Sequence, residues 1–176
     1  MVKCFDLCML PLLDQGGRRF ESVPRAGLKD RSTRSSLRLV VIHMGSGISV
    51  SVHQDGRMID CNTGEEGPFG IDRSGALPVQ QLIKICFSGL YTQKRLDQLV
   101  FGAGGVASCL GTKDLMEVER RIDSGDERAA AVLDAMVDQI AKEAGGLAAV
   151  LYGKVDAVLL TGGMAHSKRI VSRLHE

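Results

Sequence analysis

Between Leu37 and Asp60 the chain reads LRLVVIHMGSGISVSVHQDGRMID, and this stretch constrains the fold more than any other. Leu37, Leu39, Val40, Val41 and Ile42 make an apolar run suited to a buried strand. Glycines at positions 45 and 47 interrupt it, and the chain then resumes with Ile48, Val50 and Val52 alternating with polar residues, the pattern of a half-buried strand. Asp55-Gly56 is a two-residue hairpin signal, so Arg57–Asp60 is expected to return as a third strand. A Gly-x-Gly bend between strands presents backbone N–H groups where no Cβ blocks approach, an arrangement able to hold phosphate oxygens. His43 would add a side-chain donor. A bulged hairpin with a structural histidine is the other reading of the same residues.

Downstream the period changes. CNTGEEGPFGIDRSG reads as a glycine-rich loop, and Leu77, Val79, Leu82, Ile83, Cys86 and Phe87 follow at helical spacing, closed by Gly89. TQKRLDQLVFG suits a shorter helix with Thr92 as N-cap, and Asp114–Ile122 suits another. Asp126 is placed to cap a longer helix whose stripe runs through Ala129, Val132, Leu133, Met136, Val137, Ile140, Ala144, Leu147 and Leu151. VDAVLL is expected as a short buried strand leading into TGG, with Ser167–Leu174 as the last helix. A meander followed by helices and another strand implies an α/β fold, one sheet layer covered by helices.

Residues 1–36 have a different texture, rich in Arg, Ser, Gly and Pro without sustained period, and are expected to be a poorly ordered tail. They hold seven Lys or Arg against four Asp or Glu, a net of +3, while residues 37–176 hold fifteen against seventeen, a net of −2. Neither value marks a nucleic-acid surface. No apolar run approaches the ~20 residues of a membrane helix, so neither nucleic acid nor membrane is an expected partner. The five cysteines lack metal-ligand spacing. Cys86 and Cys109 sit among apolar neighbours, as small core residues do, and reduced thiols suit a cytoplasmic location.

Three further motifs carry chemistry. TGGMAHS, Thr161 to Ser167, is a strand-to-helix glycine turn, and the helix N-terminus after it would suit a nucleotide phosphate; a plain tight turn is the alternative. In DRSG, Arg73 is placed to neutralise a transferring phosphoryl group, or else to pair with Asp72 or Glu66 on the surface. Gly102-Ala103-Gly104-Gly105-Val106-Ala107 matches a dinucleotide fingerprint, but the span where its second strand and acidic residue belong, KDLMEVERRIDSGDE, reads as helix.

Taken in order, HMGSGISVSVHQDGRMID, EEGPFGIDRSGALPVQQLIKICFSG, LGTKDLMEVERRIDSGD and AAVLYGKVDAVLLTGGMAHS resemble the C-terminal part of butyrate kinases. These belong to the acetate and butyrate kinase family, in the sugar kinase, heat-shock protein and actin-like superfamily. The resemblance spans Leu37 to about Ser167. It implies one ribonuclease H-like lobe of an actin-like ATPase fold, a mixed sheet with a hairpin meander and flanking helices. It also implies ATP-dependent phosphorylation of a short-chain carboxylate to an acyl phosphate, with Mg²⁺ as cofactor and a homo-oligomeric state. Matched residue by residue, His43, Gly45, Ser46 and Gly47 fall in the family's second phosphate loop, and Arg73 at its arginine near the transferring phosphoryl group. Thr112 and Asp114 fall where the family approaches adenosine, and Gly162 and Gly163 at its adenosine-loop glycines. No metal ligand is assigned.

Two departures are local. Ser46 replaces the middle glycine of the usual HLGGG, and GPFGIDRSG stands for the commoner GPFSPERSG, with Arg73 kept. A larger one concerns the N-terminal lobe, which residues 1–36 do not resemble. The expectation is therefore a C-terminal lobe at residues 37–176, truncated relative to the family. A non-catalytic remnant or interaction module keeping the lobe fold is the alternative, with a dinucleotide-binding oxidoreductase behind it.

Overall fold

A computed structural model describes residues 37–176 of the chain. The expectations for residues 1–36, including Cys4 and Cys8, lie outside the described residues. Three antiparallel strands come first: β1 (Arg38–Met44), β2 (Ile48–Gln54) and β3 (Arg57–Cys61). The β2–β3 turn uses Asp55 at φ 53° and Gly56 at φ 74°, the pair of left-handed conformations that a type I′ turn requires. A register shift between Val52 and His53 bends the outer strand.

Helices α1 (Val79–Cys86), α2 (Gln93–Val100), α3 (Gly105–Leu110), α4 (Leu115–Asp123) and α5 (Glu127–Val150) follow. Then come β4 (Ala157–Thr161), a 3₁₀ turn (Gly163–His166) and α6 (Lys168–Leu174). Strand order is β3-β2-β1-β4, with β4 parallel to β1, so the sheet is mixed and the fold α/β. Arg38 and Asp156 fasten the start of this parallel pair, with the Asp156 amide donating to the Arg38 carbonyl at 2.8 Å and the Arg38 amide to the Asp156 carboxylate at 2.7 Å. The hydrogen bond from the Arg38 side chain holds the Asp156 carboxyl below its ordinary range.

Side chains alternate across a strand. Val40, Ile42 and Met44 of β1 and Ile48, Val50 and Val52 of β2 join Leu133, Met136, Val137 and Ile140 of α5 in one buried cluster. Each such side chain contributes about 1.5–3 kcal/mol of gross burial energy. Asp126 caps α5 by accepting from the Ala129 amide at 2.9 Å, and Thr92 caps α2 by accepting from the Arg95 amide. Because α5 lies on the face that carries Val40, Ile42 and Met44, His43 is turned to the opposite one.

Two burial expectations need correction, and one helix face is unexpectedly bare. Helix α1 forms as its spacing implies, yet none of its residues is buried: Val79 is 69% exposed and Ile83 52%. Cys86, on that helix, and Cys109, on α3, are both exposed rather than in the core. Strand β4 is not a buried strand. Among the described residues it is the edge of the sheet, with β1 alone beside it, and Val158 is 54% exposed. No helix of the described residues is long and apolar enough to cross a membrane.

Candidate functional site

β1 and β4 run in parallel, and their register pairs His43 with Thr161, so both glycine turns leave the sheet side by side at the same end. Gly162 makes the join. It sits at φ 88°, and an added Cβ would meet the backbone of Met44, 2.7 Å from its carbonyl carbon and closer still to the oxygen. Only glycine allows the second turn to lie directly on the first. Gly163 opens outward, with nothing within 4 Å of a Cβ built there.

The first turn is folded on itself, the Gly45 amide donating to the Gly47 carbonyl at 3.0 Å. Its Ser46 carbonyl accepts from the Asp72 amide at 3.3 Å, which brings the DRSG loop against it. Gly70 permits that approach, since a Cβ there would collide with the Ser46 carbonyl oxygen and lie 3.0 Å from the Gly47 Cα. Arg73 then crosses Gly47, its Cγ 3.1 Å from where a Cβ would be. His43, Gly45, Ser46, Gly47, Arg73, Gly162 and Gly163 thus occupy one edge of the lobe.

Arg73 does not stand alone. Its Nε donates to Asp72 Oδ1 at 3.0 Å, so the pairing foreseen as an alternative is present, and its guanidinium lies over the Phe101 ring, Cζ 3.2 Å from the centroid. Lys113 Nζ approaches the other Asp72 oxygen at 3.4 Å. Lys113 sits between Thr112 and Asp114, so that segment comes to the same loop. Both of those residues also serve locally: Thr112 Oγ1 accepts from the Asp114 amide at 3.2 Å, and Asp114 caps α4 by accepting from the Met116 amide at 2.9 Å. Lys113 and Phe101 were missed in the sequence. Lys113 was at least visible inside GTKD, whereas a ring contact between distant segments leaves no local signal.

The expected helix N-terminus after TGG needs correction. A 3₁₀ turn intervenes, and α6 begins beyond it, capped by its own Ser167, whose hydroxyl accepts from the Ile170 amide and donates to Glu119. The dinucleotide fingerprint also lacks its setting. Helix α2, not a strand, precedes it, and four of the fingerprint's six amides are already paired: Gly102 and Gly104 with the Asp72 carbonyl, Val106 with Gly70 and Ala107 with Ile71. These glycines serve close chain crossings. A Cβ on Gly104 would lie 2.6 Å from the Ser74 amide nitrogen.

Burial lowers the His43 pKa from its ordinary 6.5, which keeps the ring neutral near pH 7, with one N–H to donate and no charge to add. Burial lowers His53 as well, on the same sheet face. A depressed histidine takes up fewer protons folded than unfolded, so stability is full above about pH 6.5 and falls as pH drops below it. His43→Gln is expected to flatten part of that acid-side loss, read as unfolding temperature between pH 5 and 8 against the unaltered chain. An unchanged slope would show that His43 is not desolvated.

Among the described residues no group of three His, Cys, Asp or Glu is arranged to hold a metal.

Comparison with known proteins bears on the family and the fold. The chain is 45% identical over 157 residues to a probable butyrate kinase of Bacteroides thetaiotaomicron, covering 88% of this chain and 44% of that one. The chain thus spans under half the length of this relative. Among solved structures it resembles Porphyromonas gingivalis acetate kinase, with a TM-score of 0.73 and 26% identity over 80% of this chain and 36% of that one. A propionate kinase from Francisella tularensis shares the fold, with a TM-score of 0.70 and 24% identity over 81% and 38%. These neighbours and the mixed sheet make the described residues one lobe of an actin-like ATPase fold. The sequence profile of the Acetokinase family matches residues 26–175, and the chain belongs to that family.

Proposed function

We propose that this chain supplies the nucleotide- and phosphoryl-binding lobe of an ATP-dependent kinase acting on a short-chain carboxylate, butyrate-like in size. The observation that carries the reading is the seating of Gly162 on Met44, which sets two bare backbone turns beside Arg73 at one sheet edge. In the proposal Gly45, Ser46 and Gly47 lie under the phosphates, Gly162 and Gly163 let the nucleotide rest against backbone, and Thr112 and Asp114 border the adenosine. His43, neutral, donates a hydrogen bond to the transferring group, and Arg73 neutralises the charge that develops on it. Mg²⁺ would supply further charge neutralisation on the phosphates. Phosphoryl transfer asks mainly for positioning and fixed charge, which this residue set provides without a nucleophile. The relatives' names support the carboxylate acceptor; they do not choose among acids.

The proposal includes cytoplasmic location and self-association, the latter supported by the exposed Val79, Ile83, Phe87 and Leu90. The test is a coupled acyl-phosphate assay on the 176-residue chain with ATP, magnesium and butyrate, beside calorimetric titration with ATP. Turnover with ATP binding is the expected result. Binding without turnover assigns the chain to a non-catalytic module with the same lobe, and absence of binding refutes the reading.

A further inference from the structure

Arg73 is held from two sides by residues to which no role has been given. The Asp72 carboxylate takes its Nε at 3.0 Å, and the Phe101 ring lies under its guanidinium plane. A guanidinium can be paired along the edge that contains Nε or along the edge formed by its two terminal nitrogens. Here the protein uses the first edge and one face. Among the described residues neither terminal nitrogen has an ion-pair or hydrogen-bond partner, so the second edge is left for a bidentate contact.

The clamp is itself fixed. The Asp72 amide donates to Ser46 in the first glycine turn, and its carbonyl accepts from Gly102 and Gly104 at 2.8 and 3.2 Å. Backbone bonds on both sides therefore set where its carboxylate lies. Phe101 is held by a β-bridge to Arg73 itself. The two side chains are mostly covered, Arg73 to 22% exposure and Asp72 to 16%, so solvent screens their attraction less than at an open surface.

We propose that Asp72 and Phe101 are positioning residues that hold Arg73 across Gly47, with its terminal edge presented to the phosphoryl group of a nucleotide. This rests on the proposed function for the ligand, though not for the clamp. A loose arginine would have to be ordered at the moment of binding, at a cost in side-chain entropy. A clamped one has lost that freedom in advance. Asp72 is an unusual neighbour for an anion site, because its charge alone would repel phosphate. The neighbouring Lys113 offsets part of that repulsion.

Two readouts on the full chain test the proposal. With ¹⁵N-labelled arginine, the Arg73 Nε–H signal, identified by its loss in Arg73→Lys, is expected upfield from the ring current and slow to exchange. Phe101→Leu should move it toward the free-arginine position. Asp72→Asn should speed its exchange, and Asp72→Glu should restore the slow rate. A signal at the free-arginine position, or one unmoved by either substitution, overturns the clamp. In the second readout Asp72→Asn is expected to weaken binding of MgATP and of inorganic tripolyphosphate by about threefold to tenfold, the size of one ordinary net hydrogen bond. Asp72→Glu should recover it. Tighter binding in Asp72→Asn would mean that the carboxylate acts only as a repelling charge, and would overturn the positioning role. If the unaltered chain shows the clamped signal yet binds no triphosphate, the nucleotide reading fails and the clamp stands.

Discussion

Gly105→Ala lowers the stability of the chain by about 3 kcal/mol or more, the range for a backbone collision combined with a disfavoured dihedral. At this chain length that is on the order of 10 °C in unfolding temperature. Gly105 sits at φ 56°, and an added Cβ would collide with the carbonyl oxygen of Gly70 and lie 2.6 Å from that of Arg73. Both obstacles are backbone and both belong to the GPFGIDRSG loop, so neither can swing aside as a side chain would. Gly111→Ala is the control. Its φ of 72° is similar, but nothing lies within 4 Å of the new Cβ, so it should cost only the dihedral penalty of about 1–2 kcal/mol. Differential scanning calorimetry of the two variants decides the matter. Equal losses would mean that Gly105 is required for its dihedral alone and that the loops do not cross as closely as described.

Arg73→Ala should have the larger effect on chemistry. On the proposed function it lowers acyl-phosphate formation by about 10²- to 10³-fold, the usual consequence of removing one preorganised charge contact to a transition state. Adenosine binding should be unchanged, since the proposal sets Arg73 at the phosphoryl end. Arg73→Lys should recover little, because an ammonium keeps the charge but cannot offer two parallel N–H donors from one edge. The check is the coupled assay with KM and kcat separated. A change confined to KM would make Arg73 a ground-state binding group, and no change in either would remove it from the site.

Local pattern was legible where the physics is local. The β1–β2–β3 meander follows from alternation between Leu37 and Asp60, and the Asp55-Gly56 turn from the scarcity of residues that accept positive φ. The stripe on α5 and its Asp126 cap follow from helical period and the unpaired amides of a first turn. What period cannot say is whether anything covers a face. Helix α1 has a clear apolar side that stays exposed, which is why Cys86 looked like core, and β4 looked buried although the sheet of the described residues ends with it. Glycines are ambiguous for a related reason. Bare backbone at Gly45 and Gly47 and bare backbone at Gly104 and Gly105 look alike in sequence, yet the second pair exists to let loops cross. The adjacency of the two site turns was readable only through family resemblance, because it depends on β4 pairing in parallel with β1 across the whole length of α5. Nothing local joins Phe101 or Lys113 to Asp72 and Arg73.

The central claim is that the backbone at Gly45–Gly47 and at Gly162–Gly163 forms one surface for the phosphates of a nucleotide. Titrating the ¹⁵N-labelled chain with MgATP and following backbone amide shifts tests it most directly. The account predicts that the largest changes fall together on Gly45, Ser46, Gly47, Gly162 and Gly163, saturate at one ligand concentration, and are reproduced by tripolyphosphate at the first three. Changes confined to one turn, or centred on Gly102–Ala107, would contradict it.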